Sequence, residues 1–169
     1  MLAEKNYSFS NSYSKNDEDS NKKTKISCVR YGNVIGSRGS IVEIFNSMIS
    51  KSHFKITDDK MTRFWMDIKD CVEMVQWSID NMVGGEIVVP KIKASRVVDI
   101  AKCVDPRKPI EIIGIRPGEK IHEQLLNRRE SERAFGVGKY FIITPESSEW
   151  MNINDYYSTH FKPIDRERY

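Results

Sequence analysis

Two segments that carry glycine and arginine directly after short β-branched runs limit this chain to a narrow set of folds. Residues 25–29 lead into RYGNVIGSRGS at 30–40, and residues 110–113 lead into GIRPGEK at 114–120. Both place glycines and arginines where a strand is expected to end. In an α/β sheet, ligands bind outside the carboxyl ends of the strands. Glycine lets the backbone approach a ligand closely, and the arginine fork grips phosphate oxygens in pairs. The pattern predicts an α/β fold that binds something phosphorylated.

A chain of 169 residues, 39% hydrophobic and 30% charged, is long enough to bury a sizeable core. No apolar run reaches the length of a membrane span, and the N-terminus reads without the apolar stretch of a signal peptide. The net charge of +3 is small and dispersed, which argues against nucleic acid as a partner. Cys28, Cys71 and Cys103 are odd in number and widely spaced, as expected of reduced, buried cysteines in a cytoplasmic protein.

Along the chain, residues 1–5 read as helix and the polar stretch 6–23 as a mobile surface loop. Residues 25–30 read as a buried strand. Ser40 is expected to cap a helix reaching about Ser50, because Ile41, Ile44, Phe45, Met48 and Ile49 share one face. Residues 54–57 and 62–66 read as extended pieces around an Asp58-Asp59 turn. The clearest helix spans 67–82, with Val72, Val75, Ile79 and Met82 as its core stripe and Gly84-Gly85 ending it. Further strands are expected at 86–89, 110–113 and 140–143, and further helices at 97–103 and 119–126.

Several familiar signatures nearly form. Gly32, Gly36 and Gly39 do not make the dinucleotide fingerprint, and in GIRPGEK glycine and lysine are not adjacent as a P-loop requires. His122-Glu123 begins like a zinc-protease helix, but Leu126 stands where the second histidine belongs, so no metal site is expected. Asn33 alone would be a turn residue. Arg30 and Arg38 on either side turn the reading towards ligand contact. Arg63 alone would be a surface arginine paired with Asp58 or Asp59, a pair of little energetic weight. Pro117-Gly118 favours a tight turn beside Arg116. Glu119 either complements a helix dipole or accepts hydrogen bonds from ribose hydroxyls.

Taken in order, RYGNVIGSRGS, ITDDKMTRFWM, GGEIVVPKI and IIGIRPGEKIHE resemble the inverting UDP-N-acetylglucosamine 4,6-dehydratases, over residues 25 to about 146. These extended short-chain dehydrogenase/reductases begin pseudaminic acid biosynthesis for surface glycans. The resemblance implies an α/β fold, the C-terminal part of an extended Rossmann-type enzyme with its small substrate-binding domain. Residues 1–39 would be the tail end of the NADP-binding Rossmann domain. Residues 40–146 would be mainly the UDP-sugar-binding domain, and 147–169 a C-terminal tail. Asn33 and Arg63 would contact the substrate, UDP-N-acetylglucosamine, and Val34 would lie near the nicotinamide end of NADP. Ile41 and Lys55-Ile56-Thr57 would line the uracil. Arg116 would grip the diphosphate and Glu119 the ribose.

Such enzymes oxidise the sugar at C4, remove the C5 proton, expel water across C5 and C6, and return hydride to C6 with inversion at C5. An Asp-Lys pair and a Tyr-x-x-x-Lys motif carry those steps in the family. No tyrosine of this chain has a lysine four positions later. Residues 1–5 resemble the family helix that follows the catalytic lysine. No catalytic residue is therefore assigned, the catalytic groups are expected upstream of Met1, and the chain alone is expected to be inactive. A UDP-sugar C4-epimerase or a retaining dehydratase is the alternative within the family. From another class, the alternative is a non-catalytic UDP-sugar-binding module, or half of a split enzyme that pairs with a separate N-terminal half. A complete enzyme of this kind is expected to be a cytoplasmic homo-oligomer without membrane or nucleic-acid partners.

Overall fold

The computed structural model describes residues 2–11, 24–146, 152–161 and 163–164. In chain order its first elements are α1 (Leu2–Ser10), β1 (Cys28–Val29), β2 (Asn33–Val34), α2 (Ile41–Ser47), β3 (Phe54–Ile56), β4 (Thr62–Met66) and α3 (Ile68–Asn81). There follow β5 (Ile87–Pro90), β6 (Ala94–Arg96), α4 (Val97–Val104), β7 (Ile110–Ile112), α5 (Arg128–Ser131), β8 (Ala134–Val137), β9 (Tyr140–Ile143) and α6 (Ile153–His160). Three parallel strand pairs, β1–β5, β2–β4 and β3–β7, make this an α/β chain as expected. The chain divides into two units that alternate along the sequence. One comprises Met1–Arg30, Glu73–Lys91 and Leu125–Tyr169, the other Tyr31–Val72 and Ile92–Gln124. The contiguous blocks expected from the sequence, with boundaries after residues 39 and 146, do not coincide with these units.

The first unit is built on the sheet β1-β5-β9-β8. Every residue of β5 and β9 is buried, because both faces of the sheet are covered. Val88 and Ile142 pack on one side with Met74, Ile153 and Tyr157. Ile87, Val89, Phe141 and Ile143 pack on the other with Leu125, Leu126 and Ile164. Gly138 supplies the positive φ (53°) at the first position of the two-residue β8–β9 turn.

Four expectations change here. First, α1 runs on to Ser10, through residues 6–10 of the expected loop. Polar residues there have specific partners: Ser8 Oγ donates to Gly85 O at 2.7 Å, and the buried Asn11 side chain bonds both backbone groups of Ile26. Residues 12–23 of that loop lie outside the described residues, as do 147–151 of the expected tail. Second, the strand expected at 25–30 shortens to Cys28–Val29.

Third, α3 buries a stripe displaced by one residue, about 100° around the helix, from the one expected, of which only Met82 packs against the core. Cys71, Met74 and Ser78 are buried, whereas Ile68 (65%), Val72 (61%), Val75 (41%) and Ile79 (71%) are exposed. Both stripes have helical spacing, so periodicity alone cannot choose between them. Helix α2 ends at Ser47, short of the expected Ser50; on it Ile44 is exposed and Phe45 carries the burial, and Ile49, past its end, is exposed as well. Fourth, residues 119–126 form no helix. The carbonyl of Ile121 is taken by the amide of Thr62 (3.0 Å), which sets residues 121–122 beside β4 as a parallel bridge.

Glu86 is fully buried just before β5. Its carboxylate accepts from Val83 N–H, Gly84 N–H, Ser27 Oγ and Tyr157 Oη at 2.8–3.0 Å. Burial, reinforced by this carboxylate, pushes the Tyr157 phenol well above its ordinary pKa, so it remains a donor.

The second unit holds the sheet β2-β4-β6 and the pair β3–β7. Phe45, Phe54, Ile56, Met61, Val97, Val98 and Ala101 form its core. An added Cβ at Gly32 would fall 2.5 Å from Phe64 O, so glycine there permits close approach of the backbone to β4.

Two stability measurements test these assignments. In urea, Met74→Ala is expected to cost about 2–5 kcal/mol, as core truncations do. Ile79→Ser is expected to change stability by no more than about 0.5 kcal/mol, as exposed substitutions do; a large loss would restore the stripe read from the sequence. Glu86→Gln is expected to cost on the order of 1–3 kcal/mol, because an amide NH2 then faces buried donors. Unchanged unfolding by Glu86→Gln would remove this carboxylate from the architecture.

Candidate functional site

The carboxyl ends of the parallel pair β3–β7 bring three of the expected ligand residues together. Their register sets Lys55 opposite Glu111 and Ile56 opposite Ile112. Thr57 follows β3 directly, and the GIRPGEK segment follows β7. Within that segment Glu119 N–H donates to Arg116 O at 3.0 Å, closing a four-residue turn. Pro117 occupies its second position and Gly118, at φ 81°, its third, the arrangement of a type II turn. An added Cβ at Gly118 would meet nothing, so the backbone conformation alone selects glycine.

The Glu119 carboxylate ties this turn to β3. One oxygen accepts from Thr57 Oγ1 and the other from Arg116 N–H, each at 3.3 Å. Each oxygen keeps a lone pair for another donor. Arg116 is exposed, and its guanidinium meets no acceptor among the described residues. Thr57 and Glu119 are half-buried beside it. Such a turn can present one free cation and one anchored carboxylate side by side.

Other expected residues are placed differently. The Ile56 side chain is 2% exposed and belongs to the core, so a ligand beside β3 would meet Lys55 and Thr57 instead. Lys55 is exposed, and its Nζ lies 3.8 Å from Glu111, which also pairs with His53. Ile41 opens α2 and is half-buried against the core. Asn33 is exposed on β2, and Val34 is half-buried beside it.

Arg63 is not the surface partner of Asp58 or Asp59. It lies on β4, 9% exposed, with Nε 3.2 Å from Glu123. Its Nη1 donates to Thr62 O (2.8 Å) and Ile121 O (3.0 Å). Thr62 Oγ1 also lies 2.8 Å from His122 Nδ1. The sequence singled out His122-Glu123 only as an incomplete zinc-protease pattern, because their meeting with β4 depends on the non-helical path of residues 119–123.

Arg30 requires correction as a ligand-gripping arginine. In the first unit its Nε and Nη2 pair with Glu4 at 2.7 and 2.9 Å, and its Nη1 and Nη2 with Glu130 at 2.9 and 2.7 Å. The hydrogen bond from Arg30 holds the Glu4 carboxyl below its ordinary pKa. Burial pushes Glu130 up, but hydrogen bonds from Arg30 and Asn127 N–H outweigh it, and the net direction is down. A cavity of about 240 Å³ beside this cluster is lined by Lys5, Phe9, Ile87, Arg133 and Glu146. Its charges are largely paired with each other, and of the residues read from the sequence towards ligand contact only Arg30 lines it.

As a test for NADP, the described residues offer only Val34 near the expected nicotinamide position. The sequence has no glycine fingerprint to hold a pyrophosphate, so these residues do not by themselves build a dinucleotide site. Among the described residues no group of three or more His, Cys, Asp and Glu side chains is arranged to hold a metal ion, and no helix is long and apolar enough to cross a membrane.

A family model described as polysaccharide biosynthesis protein matches residues 2–145. A UDP-N-acetylglucosamine 4,6-dehydratase (inverting) of Campylobacter jejuni is 42% identical over 74% of this chain. A UDP-glucose 4-epimerase of Rickettsia bellii is 34% identical over 84% of it. The chain spans 38% and 43% of the lengths of these two curated relatives. The X-ray structure of Pen from Bacillus thuringiensis superposes with a TM-score of 0.76 at 28% identity, covering 98% of this chain and 52% of that one. The resemblance and the Rossmann-type α/β class read from the motifs both stand, and a family match that runs through both units leads to one conclusion: the chain belongs to the polysaccharide biosynthesis protein family.

Proposed function

We propose that this chain supplies the sugar-nucleotide-binding elements of an inverting UDP-N-acetylglucosamine 4,6-dehydratase, acting in cytoplasmic nucleotide-sugar and surface-glycan biosynthesis. The observation that carries the reading is the Arg116–Glu119 turn, where a guanidinium without a partner among the described residues stands beside a carboxylate anchored to Thr57. Arg116 binds the diphosphate, and Glu119 accepts from the ribose hydroxyls with its remaining lone pairs. Lys55, Thr57 and the backbone of Ile56 border the uracil, together with Ile41. Asn33 and Arg63 face the sugar-phosphate side, and Val34 flanks the nicotinamide.

NADP, when bound, supplies the hydride acceptor and donor, and its main site belongs to residues outside these 169. The same holds for proton transfer, since the chain has no Tyr-x-x-x-Lys. A general base must lie within hydrogen-bond reach of the proton it removes. A second reading, a UDP-sugar C4-epimerase, is favoured by the Rickettsia relative and would use the same binding residues. Analysis of products from an enzyme completed with the remaining segment separates the two. A non-catalytic UDP-sugar module would bind UDP but complete no turnover with any such segment, whereas half of a split enzyme would turn over once its separately made N-terminal half is supplied.

Two outcomes are expected. Arg116→Ala should weaken UDP binding by about 2–5 kcal/mol, the cost of leaving an anion unpaired, with partial rescue by lysine and a smaller loss for Glu119→Gln. Calorimetric titration of UDP decides this, and equal affinity for Arg116→Ala would make Arg116 a turn residue only. The 169-residue chain with added NADP should form no 4-keto product from UDP-N-acetylglucosamine; turnover by preparations free of host enzyme would contradict the assignment of catalysis elsewhere.

A further inference from the structure

We infer that Glu123 is a positioning residue, which holds the Arg63 guanidinium so that one of its nitrogens remains for a sugar-nucleotide ligand. The inference rests on the binding role proposed above for Arg63 and extends it to a residue outside the expected set. Arg63 is 9% exposed, so its orientation is set by what surrounds it. Both Nη1 hydrogens are committed to main-chain carbonyls, at 2.8 Å to Thr62 and 3.0 Å to Ile121. Nε lies 3.2 Å from the Glu123 carboxylate, an ion pair. Among the described residues, Nη2 meets no acceptor. The short segment 121–123 therefore holds two sides of the guanidinium and leaves the third.

Glu123 is also the carboxylate that balances this cation. A buried charge is retained only when paired, and a guanidinium fixed before the ligand arrives loses little freedom on binding. The Glu123 side chain is 39% exposed, so removing it opens no core cavity. That separates its effect on Arg63 from an effect on folding. Because the carbonyl contacts at Nη1 persist without it, loss of Glu123 should loosen the group and not abolish its placement.

The experiment is a double-mutant cycle read by UDP titration, with thermal midpoints recorded for each variant. Glu123→Ala is expected to weaken UDP binding by about 10-fold. Glu123→Gln keeps a polar group of the same shape beside Nε but removes its charge, and should lose about 3-fold. In an Arg63→Met background, which keeps the side-chain stem, Glu123→Ala should cost less than about 2-fold. If Glu123→Ala loses its thermal transition, Glu123→Gln in the two backgrounds carries the same comparison. Equal losses with and without Arg63, or tighter binding on removing Glu123, would overturn the positioning role alone. Failure of the parent chain to bind UDP would overturn it together with the binding role it rests on.

Discussion

The first unit depends on one buried carboxylate. Glu86 stands between the end of α3 and the start of β5, where the chain reverses through Gly84 and Gly85 at φ 117° and 90°. That reversal strands the amides of Val83 and Gly84, and a buried amide without an acceptor is costly. Glu86 takes both, and with its remaining lone pairs accepts from Ser27 and Tyr157. A single side chain thus fixes the helix end, the approach to β1 and the position of α6. Four donors thereby satisfy a carboxylate that the core shields from water.

Two arginines that follow β-branched runs in the sequence have opposite fates. Arg30 is enclosed by Glu4 and Glu130, with Leu125 O as a further acceptor at 2.9 Å, and its charge is spent inside the protein. Arg116 leaves a type II turn into solvent. The difference arises from the elements opposite each one. Helices α1 and α5 bring carboxylates to Arg30, and the capping box of Asn127 and Glu130 orients one of them. Nothing comparable faces the 114–120 loop among the described residues, and the nearest carboxylate, Glu119, is turned onto the loop's own amide and Thr57.

The second unit assembles its candidate site from main-chain geometry more than from charge. The tight turn is specified by Pro117 and Gly118, the strand ends by β3–β7 pairing, and the path of 119–123 by its bonds to β4. Arg63 is then oriented by carbonyls as much as by Glu123. An arrangement of this type is stiff where it positions groups and open where it presents them, as binding sites on rigid elements require.

Much of this was legible in the sequence. The strands read at 62–66 and 140–143, the strands read at 54–57 and 110–113 that each end one residue earlier, the helix read at 97–103 and the Arg116 turn follow from β-branched runs, periodicity and the stereochemistry of proline and glycine, all of which act over a few residues. The four motifs fixed the family for the same reason, since they preserve local chemistry in order. What the sequence left open was decided by contacts between distant segments. The buried stripe of α3, the helical state of 6–10, the non-helical state of 119–126, the burial of Glu86 and the enclosure of Arg30 each depend on partners distant in the sequence, up to 100 residues away for Arg30. Local patterns specify which conformations are available to a segment. Only the tertiary structure supplies the acceptors, donors and apolar surface that select one of them.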